Sequence, residues 1–431
     1  MFLDFLLVTI VVPILPNHLL QIENSKIIPY LDDARQELNV SRKDRQLNHE
    51  EFAANNIPLA MLMSSKAIAQ IPTSLIVSQI TYRIGYDIPL FGGFAIFTLS
   101  SLIFAYSTTY NMLLFGRAFS GVGSGFAATS GMGMVANTFT DQKARSRAIA
   151  IVFSGIAIGI LLGPVFGGLL YRIGGIRLPF LILAGLSFFV GLVQLFVLKP
   201  KVCKIRPEHT DYWKLLCDPY LMLTTVAIFI NNWSFSAIEP TMPLWMIEMW
   251  NSNSVEQGLA FLPSSLAYLV WTFVNKYVVK KLGQWASCMA GFLILGAGLI
   301  VMPYSGSFYY LLIPSAFLGV GFGLVGLNTF PLMGHIADLR HTKIYGSVYA
   351  IADVSCSLAF ISGPMVGGPT SRYFGFHNMM VALGIVNIMF APLMIFLRKL
   401  EESKSQLTLT SSSSTCNTLK IESIQDSNLK L

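Results

Sequence analysis

Long apolar segments recur along most of the chain and are separated by short polar links. As helices, segments of this length cross about 30 Å of hydrocarbon. They lie at residues 2–20, 57–81, 88–108, 110–135, 146–171, 177–198, 220–245, 257–279, 285–304, 307–334, 344–369 and 376–397. The pattern predicts an all-α membrane protein with twelve transmembrane helices.

The composition supports this class and excludes several others. Of the 431 residues, 54% are hydrophobic and 12% are charged, whereas a soluble domain carries about 25% charged residues. The net charge of +7 does not predict a nucleic-acid partner, because the basic residues lie in the links, where they set topology. The five cysteines show no metal-binding spacing, and we predict no metal or other cofactor.

The distribution of Lys and Arg predicts the orientation in the membrane. Basic residues concentrate in the links that follow even-numbered segments, so both termini are predicted to be cytosolic. The link 21–56 is the exception on the other side, and its basic residues are outnumbered by acidic ones. It carries the sequon Asn39-Val40-Ser41, and Asn39 is therefore a predicted glycosylation site.

The two halves of the chain repeat each other. Residues 118–125 resemble residues 316–323 at an offset of 198, and residues 163–168 resemble residues 363–368 at an offset of 200. A parallel repeat is typical of transporters built from two bundles around a midplane site. The second pair of segments contributes four predicted gating positions: Gly163, Pro164, Gly363 and Pro364. Generic tight packing of helices is the alternative interpretation.

The repeat divides the chain into four parts. We predict a six-helix bundle at 1–199, a cytosolic linker at 200–219, a second six-helix bundle at 220–398, and a disordered cytosolic tail at 399–431. The linker is polar and basic, and the tail is polar, with a serine run.

Five charged residues lie deep inside the predicted transmembrane segments: Asp4, Lys66, Arg117, Glu239 and Asp353. Lys276 lies near the end of segment 8. Charges at membrane depth are costly and face a protein interior or a water-filled cavity. Such groups suit proton-coupled transport of a cation. For Lys66 and Asp353 a static ion pair that fixes bundle packing is the alternative. For the other two acids a functional role is favoured, because acids outnumber the bases available to neutralise them.

Two motifs resemble those of major facilitator antiporters. Arg117 begins the pattern Arg-x-x-x-Gly-x-Gly in segment 4, and residues 155–168 contain Gly-x-x-x-Gly-Pro-x-x-Gly-Gly in segment 5. Residues 83–85, Arg-Ile-Gly, resemble a remnant of the loop between segments 2 and 3 of that superfamily.

More specific runs resemble the vesicular amine transporter family, over nearly all of residues 2–400. They include Leu3-Asp4 with residues 9–16, Ser65-Lys66-Ala67, Glu239-Pro240, and the long run 338–354. Residues 243–246 and 331–334 resemble the monoamine branch more than the acetylcholine branch.

The resemblance implies roles for individual residues. Asp4 and Glu239 would bind a cationic amine, and Lys66 and Asp353 would form an ion pair linked to protonation. The remaining family positions would line the pocket (Asn232 and Tyr268), belong to the polar network (Arg117), and supply a histidine in a cytosolic loop (His341).

Several positions depart from the family pattern, and each departure removes polar or ionisable capacity. Gly326 stands where the family has an Asp in segment 10, Phe5 where it has an Asn, and Phe360 where it has a pocket-lining Tyr. Only three residues precede Asp4, so we expect the first helix to be truncated at its start.

The function favoured at this stage is a proton-coupled antiporter. It would move a cationic monoamine from the cytosol into a vesicle, or out of the cell, by alternating access. The alternatives are export of another organic cation or drug, and a transporter-like binding or sensor protein without full proton coupling. No enzyme is expected, because no nucleophile–base pair or phosphate loop is recognisable. The expected partners are the amine, protons and membrane lipid around a monomer, in a secretory or synaptic vesicle membrane or alternatively the plasma membrane.

Overall fold

The structure is a computed structural model that describes residues 1–11, 56–139, 141–198, 212–250, 252, 254–341 and 344–398. In these residues the regular elements are helices. The first ten are α1 Phe2–Val11, α2 Asn56–Ile84, α3 Asp87–Ala105, α4 Tyr110–Thr138, α5 Gln142–Gly174, α6 Arg177–Leu198, α7 Pro219–Trp250, α8 Ser254–Leu282, α9 Gln284–Val301 and α10 Phe308–Arg340.

The remaining helical run, Tyr345–Phe390, is broken at Gly375. This glycine has φ 82° and ψ 151°, a backbone conformation that side chains with a Cβ rarely adopt. It divides the run into α11, residues 345–374, and α12, residues 376–390, which continues into the 3₁₀ helix Ala391–Leu397. A short helix, Tyr212–Leu216, lies within the predicted linker.

The helices fall at the predicted apolar segments, and several extend beyond them. Eight helical runs of the described chain are long and apolar enough to cross a membrane. One of these runs contains both α11 and α12. The residues Asp338–Arg340, which we predicted as part of a polar link, form the last turn of α10. The cap of α5 explains its early start, because the side chain of Asp141 accepts a hydrogen bond from the backbone N–H of Ala144 at 3.0 Å.

The sequence repeat corresponds to a repeated contact. A Cβ at Gly121 of α4 would lie 2.0 Å from the backbone oxygen of Lys66 in α2. A Cβ at Gly319 of α10 would lie 2.0 Å from the backbone oxygen of Ser264 in α8. Both members of the second pair stand 198 residues after those of the first. The same close approach therefore packs α4 on α2 and α10 on α8.

The second repeat shows the same correspondence. A Cβ at Gly163 of α5 would lie 2.7 Å from Cβ of Thr9 in α1. A Cβ at Gly363 of α11 would lie 2.7 Å from Cβ of Ser236 in α7. These glycines are required where two helix backbones approach closely. Each half of the chain thus uses one packing scheme, and a cavity separates the two halves.

Candidate functional site: a charged cavity between the two halves

A cavity of about 570 Å³ lies between the two halves. Its lining comes from α1, α2, α4 and α5 of the first half and from α7, α8, α10 and α11 of the second. All five ionisable residues singled out in the sequence contribute to the wall: Asp4, Lys66, Arg117, Glu239 and Asp353.

Lys66 and Asp4 form a buried salt bridge. Lys66 Nζ lies 2.7 Å from Asp4 Oδ1, and Ser124 Oγ donates a hydrogen bond to the same carboxylate oxygen at 2.5 Å. Both residues are buried: Lys66 is 9% exposed and Asp4 is 4% exposed. Each charge neutralises the other, so both can remain ionised beside the cavity. Either charge buried alone would destabilise the fold.

The expected direct pair of Lys66 with Asp353 is not formed in this structure. The carboxylate of Asp353 accepts a hydrogen bond from Gln70 Nε2 at 2.8 Å and another from Ser74 Oγ. Lys66 interacts with Asp353 electrostatically, without a salt bridge. The reason is local: Gln70 and Ser74 follow Lys66 at steps of four on α2, so one helix face presents both uncharged donors to α11.

Arg117 and Glu239 face the cavity from opposite halves. The Arg117 side chain is buried, and one of its nitrogens contacts Met63 Sδ at 3.8 Å. In the described part of the chain its Nε and Nη1 atoms have no hydrogen-bond partner. Glu239 forms no salt bridge with a described residue, and it interacts electrostatically with Arg117 and Lys66. This acid is therefore available to a cationic ligand.

The formal charge of the wall favours a cation. Three carboxylate side chains and two basic side chains line the cavity, which leaves one uncompensated negative side-chain charge when all five are ionised. Around them the wall is mainly apolar and aromatic. A cation with an apolar or aromatic body suits this combination. Aromatic faces of the wall attract the positive charge and also pack against the apolar body.

The other two predicted pocket residues also reach the cavity. Asn232 Nδ2 donates to the backbone oxygen of Ile228 at 2.8 Å and contacts Cys356 Sγ at 3.5 Å. Tyr268 lines the wall from α8. Phe360, which replaces the family's tyrosine, lies with Phe235 in an edge-to-face pair with ring centroids 6.5 Å apart.

One end of the cavity is closed by polar contacts between the halves. Arg145 Nη1 lies 2.7 Å from Asp338 Oδ2, and Tyr345 donates a hydrogen bond to the same carboxylate group. Nearby, Gln142 Nε2 donates to Gln284 Oε1 at 3.1 Å. In the predicted orientation these contacts lie at the cytosolic end.

His341 lies at the same end, outside the cavity lining. Its Nε2 atom is 2.9 Å from Asp218 Oδ2, and Arg340 Nε is 2.7 Å from that oxygen. The contact ties the end of α10 to the start of α7.

The remaining predicted positions are divided between packing, the cavity and undescribed regions. Gly163 and Gly363 make the helix contacts described above, and Pro364 lines the cavity. Pro164 lies within α5, and its side chain is outside the described part of the structure. Asn39 lies outside the described residues.

Sequence reasoning missed several residues of the site. Gln70 and Ser74 carry the contact to Asp353, and Arg145 and Asp338 carry the closure between the halves. The spacing of four residues from Lys66 to Gln70 and Ser74 places all three on one helix face, and this was a usable signal. Nothing in the sequence pattern pairs Arg145 with a particular acid.

Comparison with known proteins shows the family to which the chain belongs. Residues 1–352 match the Major Facilitator Superfamily model. The chain is 34% identical to the human synaptic vesicular amine transporter, over 92% of this chain and 86% of the relative. It is 40% identical to the human chromaffin granule amine transporter, over 82% of this chain and 67% of the relative. It is 33% identical to the vesicular acetylcholine transporter of Tetronarce californica, over 95% of this chain and 81% of the relative.

A solved structure supports the fold. The crystal structure of the human organic anion transporter MFSD10 (TETRAN) superposes with a TM-score of 0.73, covering 91% of this chain and 96% of that one. At 16% identity this likeness concerns the fold alone, and it confirms the predicted all-α major facilitator architecture. Together with the matches above, it leads to one conclusion: the chain is a multi-pass membrane protein of the vesicular amine transporter family, within the Major Facilitator Superfamily.

Proposed function

We propose that this protein is a proton-coupled antiporter that moves a cationic monoamine out of the cytosol by alternating access. The observation that carries the proposal is the unbalanced charge of the cavity. Glu239 faces the cavity without a salt bridge to any described residue, and the Asp4–Lys66 pair lies in the same wall. The relatives named above are amine and acetylcholine transporters, which supports an amine as the transported cation.

The proton-coupled step needs a carboxylate that exchanges its bound cation for a proton. Glu239 and Asp353 meet this requirement, because neither is neutralised by a salt bridge with a described residue. A cationic amine at Glu239 would replace the missing countercharge. A proton entering from an acidic lumen would then displace the amine and reset the site.

The test is amine uptake by the full chain in proteoliposomes with an acidic interior. We expect uptake to depend on the pH gradient and to fall at least tenfold in Glu239→Gln, because a hydrogen bond to a charged group contributes about 1.5–3 kcal/mol. Glu248→Gln is the matched control on the same helix, since Glu248 is exposed and does not line the cavity. Uptake by the wild type that is unaffected by Glu239→Gln would contradict the proposed site.

A second candidate function is a binding or sensor protein that has lost full proton coupling. Gly326 lines the cavity at the position where the family has an acid, and this observation favours the alternative. The same proteoliposomes separate the two functions. Saturable amine binding without gradient-driven uptake would support the sensor and exclude the antiporter. If another organic cation accumulates and amines do not, the remaining alternative is supported.

A further inference from the structure

An aromatic pair forms the wall of the cavity nearest the closed end. A Cβ at Gly326 of α10 would lie 3.2 Å from Cε1 of Phe153 in α5. The Phe153 ring also packs edge-to-face on Phe330, with centroids 5.0 Å apart and an interplanar angle of 67°. All three residues line the cavity. The Phe153 ring therefore occupies the space that a side chain at position 326 would fill.

The surroundings prevent the aromatic pair from receding toward the closed end. The backbone oxygen of Phe330 accepts a hydrogen bond from the Tyr349 hydroxyl at 3.2 Å. One turn further along α10, a Cβ at Gly334 would lie 2.7 Å from that hydroxyl and 3.0 Å from Arg145 Nη1. Tyr349 and Arg145 thus fill the space behind Phe330. Densely packed interiors of this kind yield little to a larger ligand.

The repeat shows that this wall is specific to one side of the cavity. Phe153 stands 200 residues before Asp353, the same offset that relates Gly163 to Gly363. The two residues therefore hold equivalent positions in the two halves. Asp353 bonds to polar side chains of α2, whereas Phe153 packs on α10. The apolar character of this wall follows from residue 153 together with the glycine at 326.

We propose that Phe153, packed over Gly326, determines the length of the amine that the cavity accepts. The inference rests on the proposed function. An amine held at Glu239 extends its apolar part either toward Phe153 and Phe330 or toward a second aromatic group, Phe235 with Phe322 and Phe360. The first surface joins both halves and is backed by fixed side chains. It therefore sets the limit on ligand length.

The test measures binding of a homologous series, from benzylamine to 4-phenylbutylamine, to the purified full chain. The wild type is expected to show an optimum at one member of the series. In Phe153→Ala the optimum is expected to move to a longer member. Each additional methylene that becomes buried should strengthen binding about fourfold.

A second variant tests the opposite direction. Gly326→Ala adds a methyl group 3.2 Å from the Phe153 ring, which forces the ring toward the cavity, and the optimum should move to a shorter member. Phe97→Leu is the packing control, because Phe97 is buried in α3 away from the cavity. It should lower the unfolding temperature without moving the optimum.

Each outcome decides between the inference and the function on which it rests. If Phe153→Ala changes all affinities by one common factor, or if Phe235→Leu and not Phe153→Ala moves the optimum, the inference is overturned. If the wild type binds no member of the series, amine binding itself fails and the inference falls with it. Opposite shifts of the optimum in Phe153→Ala and Gly326→Ala support both the inference and amine binding.

Discussion

Lys66 Nζ and Asp4 Oδ1 lie 2.7 Å apart in the cavity wall, so the lysine that the family resemblance pairs with Asp353 bonds to a different acid. Removing one partner of a buried pair leaves an unpaired charge, at a cost of about 3–5 kcal/mol. The two possible partners of Lys66 can therefore be distinguished by stability.

We predict that Lys66→Met and Asp4→Asn each lower the unfolding temperature, and that the double variant recovers most of the loss. The physical reason is that the double variant has no buried charge to leave unpaired. The measurement is thermal unfolding of the purified protein in detergent. Lys66→Met combined with Asp353→Asn is the comparison. Better recovery in that combination than in Lys66→Met with Asp4→Asn would contradict the observed pairing.

The Arg145–Asp338 contact predicts how the closed end is held. Asp338→Asn replaces a charge-assisted bond worth about 1.5–3 kcal/mol, so the fraction of open molecules should rise about tenfold or more. Cys356 lines the cavity, so in a variant whose other four cysteines are replaced by serine it reports on access from that end. Its alkylation by a membrane-impermeant reagent should accelerate in Asp338→Asn. Glu248→Gln should leave the rate unchanged, and an unchanged rate in Asp338→Asn would show that other contacts hold the end closed.

The repeated glycine contacts predict matched losses of stability. Gly121→Ala and Gly319→Ala would each place a Cβ 2.0 Å from a backbone oxygen, and a backbone atom cannot move aside as a side chain does. We expect each to destabilise by at least about 1–3 kcal/mol, measured by thermal unfolding. Gly131→Ala on α4 is the control, since its nearest neighbour would be 3.8 Å away. Loss in only one of the two variants would show that the halves do not depend equally on this packing.

The glycine at position 326 predicts weak proton coupling. Restoring the family's acid as Gly326→Asp requires space that Phe153 occupies, so we expect the single variant to fold poorly and Gly326→Asp with Phe153→Ala to fold. If the acid carries a transported proton, amine accumulation should depend more steeply on the pH gradient. Each added proton contributes about 1.4 kcal/mol per pH unit. The measurement is accumulation at several gradients, with Phe153→Ala as control. Equal slopes would exclude position 326 as a coupling site.

The sequence was sufficient for the helices and for the set of charged residues, because apolar length and buried charge are local properties. The chain order of Lys66, Asp4 and Asp353 does not reveal which acid the lysine contacts. That choice depends on the relative positions of α1, α2 and α11, and on the donors Gln70 and Ser74 beside the lysine. The Phe153–Gly326 contact was likewise hidden. A missing side chain predicts a space but not the neighbour that fills it.

Positions 153 and 353 are equivalent in the repeat and differ in chemistry, and this gives the two contacts different responses to temperature. Separating Phe153 from Phe330 exposes apolar surface to water, and the free energy of that exposure decreases on cooling. Separating Asp353 from Gln70 and Ser74 exchanges hydrogen bonds for hydration and carries no such apolar contribution. Cooling should therefore loosen the Phe153 contact more than the Asp353 contact. Temperature thus distinguishes two contacts that occupy equivalent positions in the repeat.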